Sequence, residues 1–161
     1  MTAPSQPIPD TATERPPTLV RRENARRSRP RAAAAFGFLA ITFAAGVVVQ
    51  VFLAGLGVFG AHGATLDHAS SLDAHRAFGD VLGVVAIVLF VWSLLAGMPR
   101  RLVATTLAIA VLTEVAQHGL AQAGLRHSWA GGLHAADGAL ILLLGVYVTV
   151  TARRAQREAR R

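Results

Sequence analysis

Two histidines stand at the start of two apolar stretches and could bind a metal together. They are His75 and His134, and residues 75–79 and 134–138 share the pattern His-x-Ala-x-Gly. Imidazole is the commonest metal ligand in proteins, and residues four apart on a helix share one face. The pattern predicts two equivalent ligand positions, each followed one turn later by a glycine.

The composition predicts that these histidines belong to a membrane protein. The chain has 161 residues, of which 53% are hydrophobic, and its mean hydropathy is +0.45. Such a chain has too little polar surface to cover a soluble domain, so one integral membrane domain is expected. The sequence has no cysteine, which excludes disulfides, iron–sulfur clusters and thiol catalysis.

Four apolar stretches predict an all-α, integral membrane four-helix bundle with up-down-up-down topology. They cover residues 32–60, 75–98, 102–124 and 133–151, each near the roughly 20 residues that cross a bilayer as a helix. Together they form a predicted membrane domain over residues 32–152. Residues 1–31, rich in proline and arginine, are predicted to be a disordered basic arm, and residues 153–161 a basic tail.

The arginines predict the orientation. All 16 basic residues are arginine: seven precede the first span, two lie between the second and third, five follow the last, and Arg76 and Arg126 lie on the other side. The positive-inside rule predicts a multi-pass protein of the bacterial cytoplasmic (inner) membrane with both termini cytoplasmic. The arm is expected to contact the lipid bilayer and its anionic lipid heads, and no nucleic-acid partner is expected.

An internal repeat favours two duplicated helical hairpins. Gln50 and Gln117 each begin the pattern Gln-x-x-Leu-Ala-x-x-Gly, in the first and third spans, and the histidine pattern follows in the second and fourth. Both hairpins run in the same direction, so an axis along the membrane normal would relate them. The glutamine faces are first of all small-residue packing seams, across which each glutamine could form a hydrogen bond.

The repeat brings His75 and His134 to equal depth on opposite sides of its axis. Diagonal helices of a bundle are about 11–14 Å apart, which leaves room for a flat metal cofactor, and b-type haem is the natural one. Gly79 and Gly138 would then let the porphyrin approach the backbone, and Arg76 and Arg126 would meet its propionates. The alternative is that both histidines simply lie in the polar interface and both glycines pack helices.

A second candidate site lies in the third span. Glu114 is an ionisable residue deep in an apolar stretch, where such residues are costly and usually functional. His118, four residues on, shares its helix face and could share a proton with it. The pair is compatible with a proton path, a quinone pocket or a buried hydrogen bond.

Residues 36–150 resemble a family of small bacterial four-span membrane proteins, known as a domain of unknown function. The resemblance rests on the four spans, the glutamine pattern and the segments that open the second and fourth spans at Leu72 and Leu133. More distantly, His75-Arg76 and His134 resemble one four-helix half of haem A synthase, which implies that the two histidines are axial haem ligands. That enzyme has a glutamate where this chain has Leu72, and two bundles instead of one. Haem A synthesis is therefore not predicted.

Three functions remain open on the sequence. The first is a b-type haem-binding bundle that passes electrons to or from a quinone or another redox partner. The second is a non-catalytic membrane subunit or scaffold. The third is a small proton-coupled transporter that uses Glu114 and His118. No motif marks a catalytic nucleophile, so the sequence does not point to an enzyme.

Overall fold

Four long helices make up the described part of the protein. The structure, a computed structural model, describes the backbone of residues 17–60 and 72–158, and the side chains of residues 31–59 and 72–158. The helices are α1 (Pro17–Gly60), α2 (Asp73–Leu95), α3 (Arg100–Gly124) and α4 (Ser128–Glu158). Each contains a segment long and apolar enough to cross a membrane. The predicted all-α, four-helix fold is confirmed.

Two helices extend beyond the predicted spans. The backbone is helical from Pro17 onwards, within the arm whose composition predicts disorder. Proline suits the first turn of a helix, where its missing N–H has no partner to lose, and the arginines and alanines that follow favour helix. Similarly, α4 begins at Ser128 and continues to Glu158, into the predicted tail. Residues 1–16 lie outside the described residues.

The helices form a four-cornered bundle. Along the chain each helix packs against the next, and α4 packs back against α1. Consequently α2 and α4 lie diagonally opposite each other, as do α1 and α3. This is the up-down-up-down arrangement that the sequence predicts, and it places the helices that carry His75 and His134 across the bundle axis from one another.

A tight turn fixes α2 and α3 as antiparallel neighbours. After Leu95, Gly97 adopts a φ of 63°, a left-handed conformation that favours glycine. Its N–H bonds to the carbonyl of Leu94, and the N–H of Met98 bonds to the carbonyl of Ser93. This pair of bonds is the Schellman motif, which satisfies the last carbonyls of a helix. Pro99 then precedes the first turn of α3.

The buried side chains are apolar, and so is much of the outer surface. The core includes Phe36, Phe43, Ile109 and Val148, all with 0% exposure. Large apolar side chains also point outwards on every helix, among them Phe38, Phe52, Leu95, Val115 and Leu143. Water would not tolerate so large an apolar exterior, whereas lipid chains solvate it.

The two ends of the bundle differ in their charged residues. At the end we call the arginine end, α1, α2 and α4 meet: Trp92 Nε1 donates to the carbonyl of Ala32 at 3.0 Å, and Gln156 Nε2 to that of Ala33 at 2.7 Å. The arginines at this end are Arg31, Arg100, Arg101, Arg153, Arg154 and Arg157. The opposite end, where α1 and α3 end and α2 and α4 begin, is the histidine end.

Candidate functional site: a pair of clasped histidines

His75 is held by reciprocal hydrogen bonds to one residue of α1. Its Nδ1 lies 3.1 Å from the backbone carbonyl oxygen of Gln50, and the side-chain amide of Gln50 donates to the carbonyl of His75 at 2.8 Å. Both contacts are partly buried. We call this pair of bonds a clasp, because it ties the imidazole and its own backbone to the same residue of the neighbouring helix.

His134 has the same clasp in the second hairpin. Its Nδ1 lies 3.2 Å from the backbone carbonyl oxygen of Gln117 in α3, and the side-chain amide of Gln117 donates to the carbonyl of His134 at 3.0 Å. Thus the glutamine and histidine patterns that repeat in the sequence also pair with each other in space. The two hairpins contribute the same device from two diagonal helices.

The two clasped rings meet across the bundle. Their centroids are 6.2 Å apart, and their planes make an angle of 75°. Both side chains are half-buried near the histidine end. The structure therefore brings together the two histidines that the sequence pattern pairs, although helices α2 and α4 do not pack directly against each other.

The clasps also fix the protonation of each ring. A carbonyl oxygen can only accept a hydrogen bond, so Nδ1 must carry the proton in both His75 and His134. A neutral imidazole protonated on Nδ1 keeps its lone pair on Nε2, the atom available to a metal ion. A backbone carbonyl behind a ligating histidine is the usual way in which proteins orient such a ligand.

The two glycines lie against the clasps. A Cβ atom on Gly79 would be 2.9 Å from Nε2 of Gln50, whereas one on Gly138 would be 3.7 Å from Nε2 of Gln117. Thus Gly79 makes room for a glutamine amide, and at Gly138 the same space is less tight. Whether either glycine admits a porphyrin edge stays a prediction.

The halves differ at one further position. Asp137, on the fourth helix, accepts a hydrogen bond from the Gln117 amide at 2.8 Å, and Phe78 occupies the corresponding position after His75. The ring of His134 is held by the carbonyl of Gln117, whereas Asp137 contacts the side-chain amide of Gln117. In the first half, Oε1 of Gln50 is buried and accepts no hydrogen bond within the described part of the chain.

The two arginines predicted to meet a cofactor lie at the histidine end. Arg76 follows His75 directly and forms an exposed ion pair with Asp73 at 3.3 Å. Arg126 lies in the short connection between α3 and α4 and is exposed. The polar residues His62, Asp67 and His68, in the connection between α1 and α2, lie outside the described residues.

The hypothesis that His118 and Glu114 share a proton stays a prediction, since His118 forms no hydrogen bond to the Glu114 carboxylate within the described part of the chain. His118 Nδ1 instead lies 2.9 Å from the backbone carbonyl oxygen of Glu114, and its Nε2 lies 3.4 Å from Oδ1 of Asp80 in α2. Glu114 itself belongs to a π-helical turn, Leu112–Ala116, which changes the direction of its side chain relative to a regular α-helix. Nothing in the residue spacing signals that turn.

The donor set of the site is small. Among the residues that the structure describes, no group of three or more histidine, cysteine, aspartate or glutamate side chains is arranged to hold a metal ion. The clasped pair offers two nitrogen ligands, which is too few for the closed four-ligand sites of structural zinc. Within the described residues, a metal held here would have these two imidazoles as its only side-chain ligands.

Comparisons with known proteins describe the chain only in part. Residues 50–124 match the model of a family of unknown function (DUF6220). This segment includes Gln50, His75 and Gln117, and it ends before α4 and His134. No curated protein and no solved structure matches the chain. The match agrees with the resemblance to a family of unknown function, and none of the comparisons supports the resemblance to haem A synthase.

Proposed function

We propose that this protein is a b-type haem-binding bundle that passes single electrons within a membrane. The observation that carries the proposal is the pair of clasped imidazoles, His75 and His134, whose Nε2 lone pairs are left for a ligand. The more distant resemblance to one half of haem A synthase assigns the same two histidines as axial ligands. Synthesis of haem A is not part of the proposal.

The spacing of the rings is compatible with two ligands on one metal ion. Metal–imidazole distances are about 2.0–2.1 Å, so two imidazoles whose Nε2 atoms face the same ion have centroids roughly 6 Å apart. The observed separation is 6.2 Å. A porphyrin supplies the four remaining ligands of a six-coordinate iron, which answers the shortage of protein ligands around His75 and His134.

The residues of the chain favour electron transfer over substrate chemistry. When bound, haem supplies a one-electron couple whose potential depends on its axial ligands and their hydrogen bonds. His75 and His134 would both hold the haem iron, which favours electron transfer over the binding of a substrate. The Gln50 and Gln117 carbonyls hold both rings in one tautomer, so the ligand geometry need not change between oxidation states.

The charges of the two ends support an orientation. Arginines are concentrated at the arginine end, so the positive-inside rule places that end, with both termini, in the cytoplasm. The histidine end would then face outwards in a bacterial cytoplasmic membrane. Arg76 and Arg126 lie at that end, where they can meet haem propionates. The partners that fit are an electron donor on the outer side and a quinone dissolved in the bilayer.

The direct test is the haem content of the purified protein. We would express the full chain with haem available, purify it in mild detergent and record reduced-minus-oxidised spectra for the wild type, His75→Ala and His134→Ala. His127→Ala is the matched control, because His127 is exposed and stacks on Trp129 with ring centroids 6.0 Å apart. Circular dichroism verifies that every variant keeps its helices.

The expected result is a sharp b-type spectrum, with one haem per chain, that is lost in both alanine variants and kept in the control. A folded wild type that stays colourless after haem is supplied would contradict the proposal. In that case the clasps would be structural, and the protein would be better described as a membrane scaffold.

A further inference from the structure

A glutamate inside the membrane-spanning region fills a notch in the neighbouring helix. Glu114 lies in the π-helical turn of α3, and its side chain faces Gly83 of α2. A Cβ atom on Gly83 would collide with Oε1 of Glu114. Gly83 is buried, and it lies outside the two histidine clasps. The absence of a side chain at position 83 therefore lets a carboxyl group lie between the two helices.

The carboxyl group of Glu114 receives no hydrogen bond from any described residue. Its backbone carbonyl accepts a bond from His118, but the side-chain oxygens accept none. An unpaired carboxylate in the hydrocarbon region of a bilayer is costly, whereas a protonated carboxyl group carries no charge.

A titratable pair lies one helical turn away, towards the histidine end. Nε2 of His118 and Oδ1 of Asp80 are 3.4 Å apart, and the two side chains are 53% and 74% exposed. Nδ1 of His118 already donates to the Glu114 carbonyl, so a hydrogen bond at Nε2 requires one further proton, shared by the ring and Asp80. Among the described residues of α2 and α3, Asp80 and His118 are the titratable side chains one turn from Gly83 and Glu114. The fourth helix also packs against the π-helical turn, and its Asp137 accepts a hydrogen bond from Gln117.

Towards the arginine end, the same interface is closed by apolar and uncharged side chains. Ala86 follows Gly83 by one turn of α2 and is fully buried, and Ala110 precedes Glu114 by one turn of α3 and is 7% exposed. Beyond them, Thr106 donates to Ser93 at 3.0 Å, and both side chains are fully buried. Polar access to Glu114 is therefore present on one side only.

We propose that Glu114 is a proton-binding site within the membrane, loaded from the histidine end through Asp80 and His118. A proton from water is taken up by the exposed pair and passes to the carboxylate of Glu114, which becomes a neutral carboxyl group. The reverse sequence returns it to the same side. Gly83 provides the space, and the π-helical turn provides the side-chain direction. The site is separate from the histidine clasps and does not depend on haem.

Dicyclohexylcarbodiimide tests the protonated carboxyl group in the full-length protein. This apolar reagent adds a protonated carboxyl group across its N=C=N unit and leaves a stable acylurea, which is located by peptide mass spectrometry. In membrane vesicles the wild type should be labelled at Glu114, with less labelling as the pH rises. A water-soluble carbodiimide should label the exposed Asp73 and spare Glu114. Absence of apolar labelling at Glu114, or labelling that does not change with pH, would overturn the proposal.

The loading route is tested by proton exchange. Infrared spectra after transfer to deuterated water should show a shift of a protonated carboxyl band that is missing in Glu114→Gln. The shift should be slower in Asp80→Asn and in His118→Gln than in the wild type, whereas Asp73→Asn, an exposed control at the same end, should leave its rate unchanged. Equal exchange rates in the wild type, Asp80→Asn, His118→Gln and Asp73→Asn would rule out Asp80 and His118 as the route. Haem spectra on the same samples report separately on the histidine pair.

Discussion

Nδ1 of His134 lies 3.2 Å from the carbonyl oxygen of Gln117, whose side-chain amide returns a 3.0 Å hydrogen bond to the carbonyl of His134. The same exchange joins Gln50 and His75 in the first hairpin. In both halves one glutamine fixes the tautomer of the imidazole and anchors the backbone beneath it. The clasps thus hold a matched pair of imidazoles in fixed orientations on two diagonal helices.

Removal of one glutamine side chain should loosen the ligand that it anchors. We expect Gln117→Leu to weaken haem binding severalfold, because the lost amide anchors the backbone of His134 while the carbonyl that holds the ring remains. The measurement is a haem titration of the apoprotein followed by absorbance. Gln122→Leu is the control, since Gln122 is an exposed residue of the same helix. Equal affinities in the two variants would show that the glutamine clasp does not support the ligand.

The two glycines should respond differently to the same substitution. In Gly79→Ala the new Cβ would be 2.9 Å from the Gln50 amide, whereas in Gly138→Ala it would be 3.7 Å from that of Gln117. We expect Gly79→Ala to displace the amide and lower haem affinity severalfold, while Gly138→Ala binds haem like the wild type. Spectral titrations of the two variants side by side decide this. The reverse order of effects would contradict the geometry of the clasps.

The buried hydroxyl pair between α2 and α3 should contribute to folding. Thr106 donates to Ser93 at 3.0 Å, and interhelical hydrogen bonds in membranes are worth about 0.6 kcal/mol on average and at most about 1.7 kcal/mol. We expect Thr106→Val to lower the free energy of unfolding in detergent by an amount in this range. Thr105→Val is the control, because Thr105 bonds only to a carbonyl of its own helix. A Thr106→Val protein as stable as the control would show that the pair is dispensable.

The orientation can be measured directly because the sequence has no cysteine. We expect Ser128→Cys, at the histidine end, to react with a membrane-impermeant maleimide in intact cells. Ala155→Cys, at the arginine end, should react only after the membrane is opened. Both positions are exposed, so each serves as the control for the other. Labelling of Ala155→Cys in intact cells would reverse the proposed orientation.

Hydropathy and the internal repeat were enough to predict much of this architecture from the sequence. Spans near bilayer length predicted four helices, and the two-fold pattern of glutamine and histidine correctly placed His75 and His134 across the bundle. These features depend on regular helical geometry, in which spacing along the chain determines position in space. The clasps themselves follow from the same repeat, because each glutamine lies one helix before its histidine.

Other features depend on local packing that spacing alone does not encode. Glu114 lies in a π-helical turn that residue spacing does not reveal. His118 bonds to the backbone carbonyl of Glu114, as an i, i+4 argument allows, but also to Asp80 of another helix, which spacing along one helix cannot show. The notch at Gly83 could be recognised only once α2 and α3 were placed together. Similarly, spacing does not reveal that a backbone carbonyl, a group that every residue possesses, holds the ring of His134.

The central claim is that His75 and His134 ligate one haem iron from opposite sides, and electron paramagnetic resonance of the oxidised protein tests it most directly. The ring planes are 75° apart, so we predict a low-spin ferric signal of the strongly anisotropic kind given by nearly perpendicular imidazole planes. His134→Ala should convert it to a high-spin signal or abolish haem binding. A high-spin ferric signal in the wild type, or a haem-loaded protein whose signal is unchanged in His134→Ala, would contradict the claim.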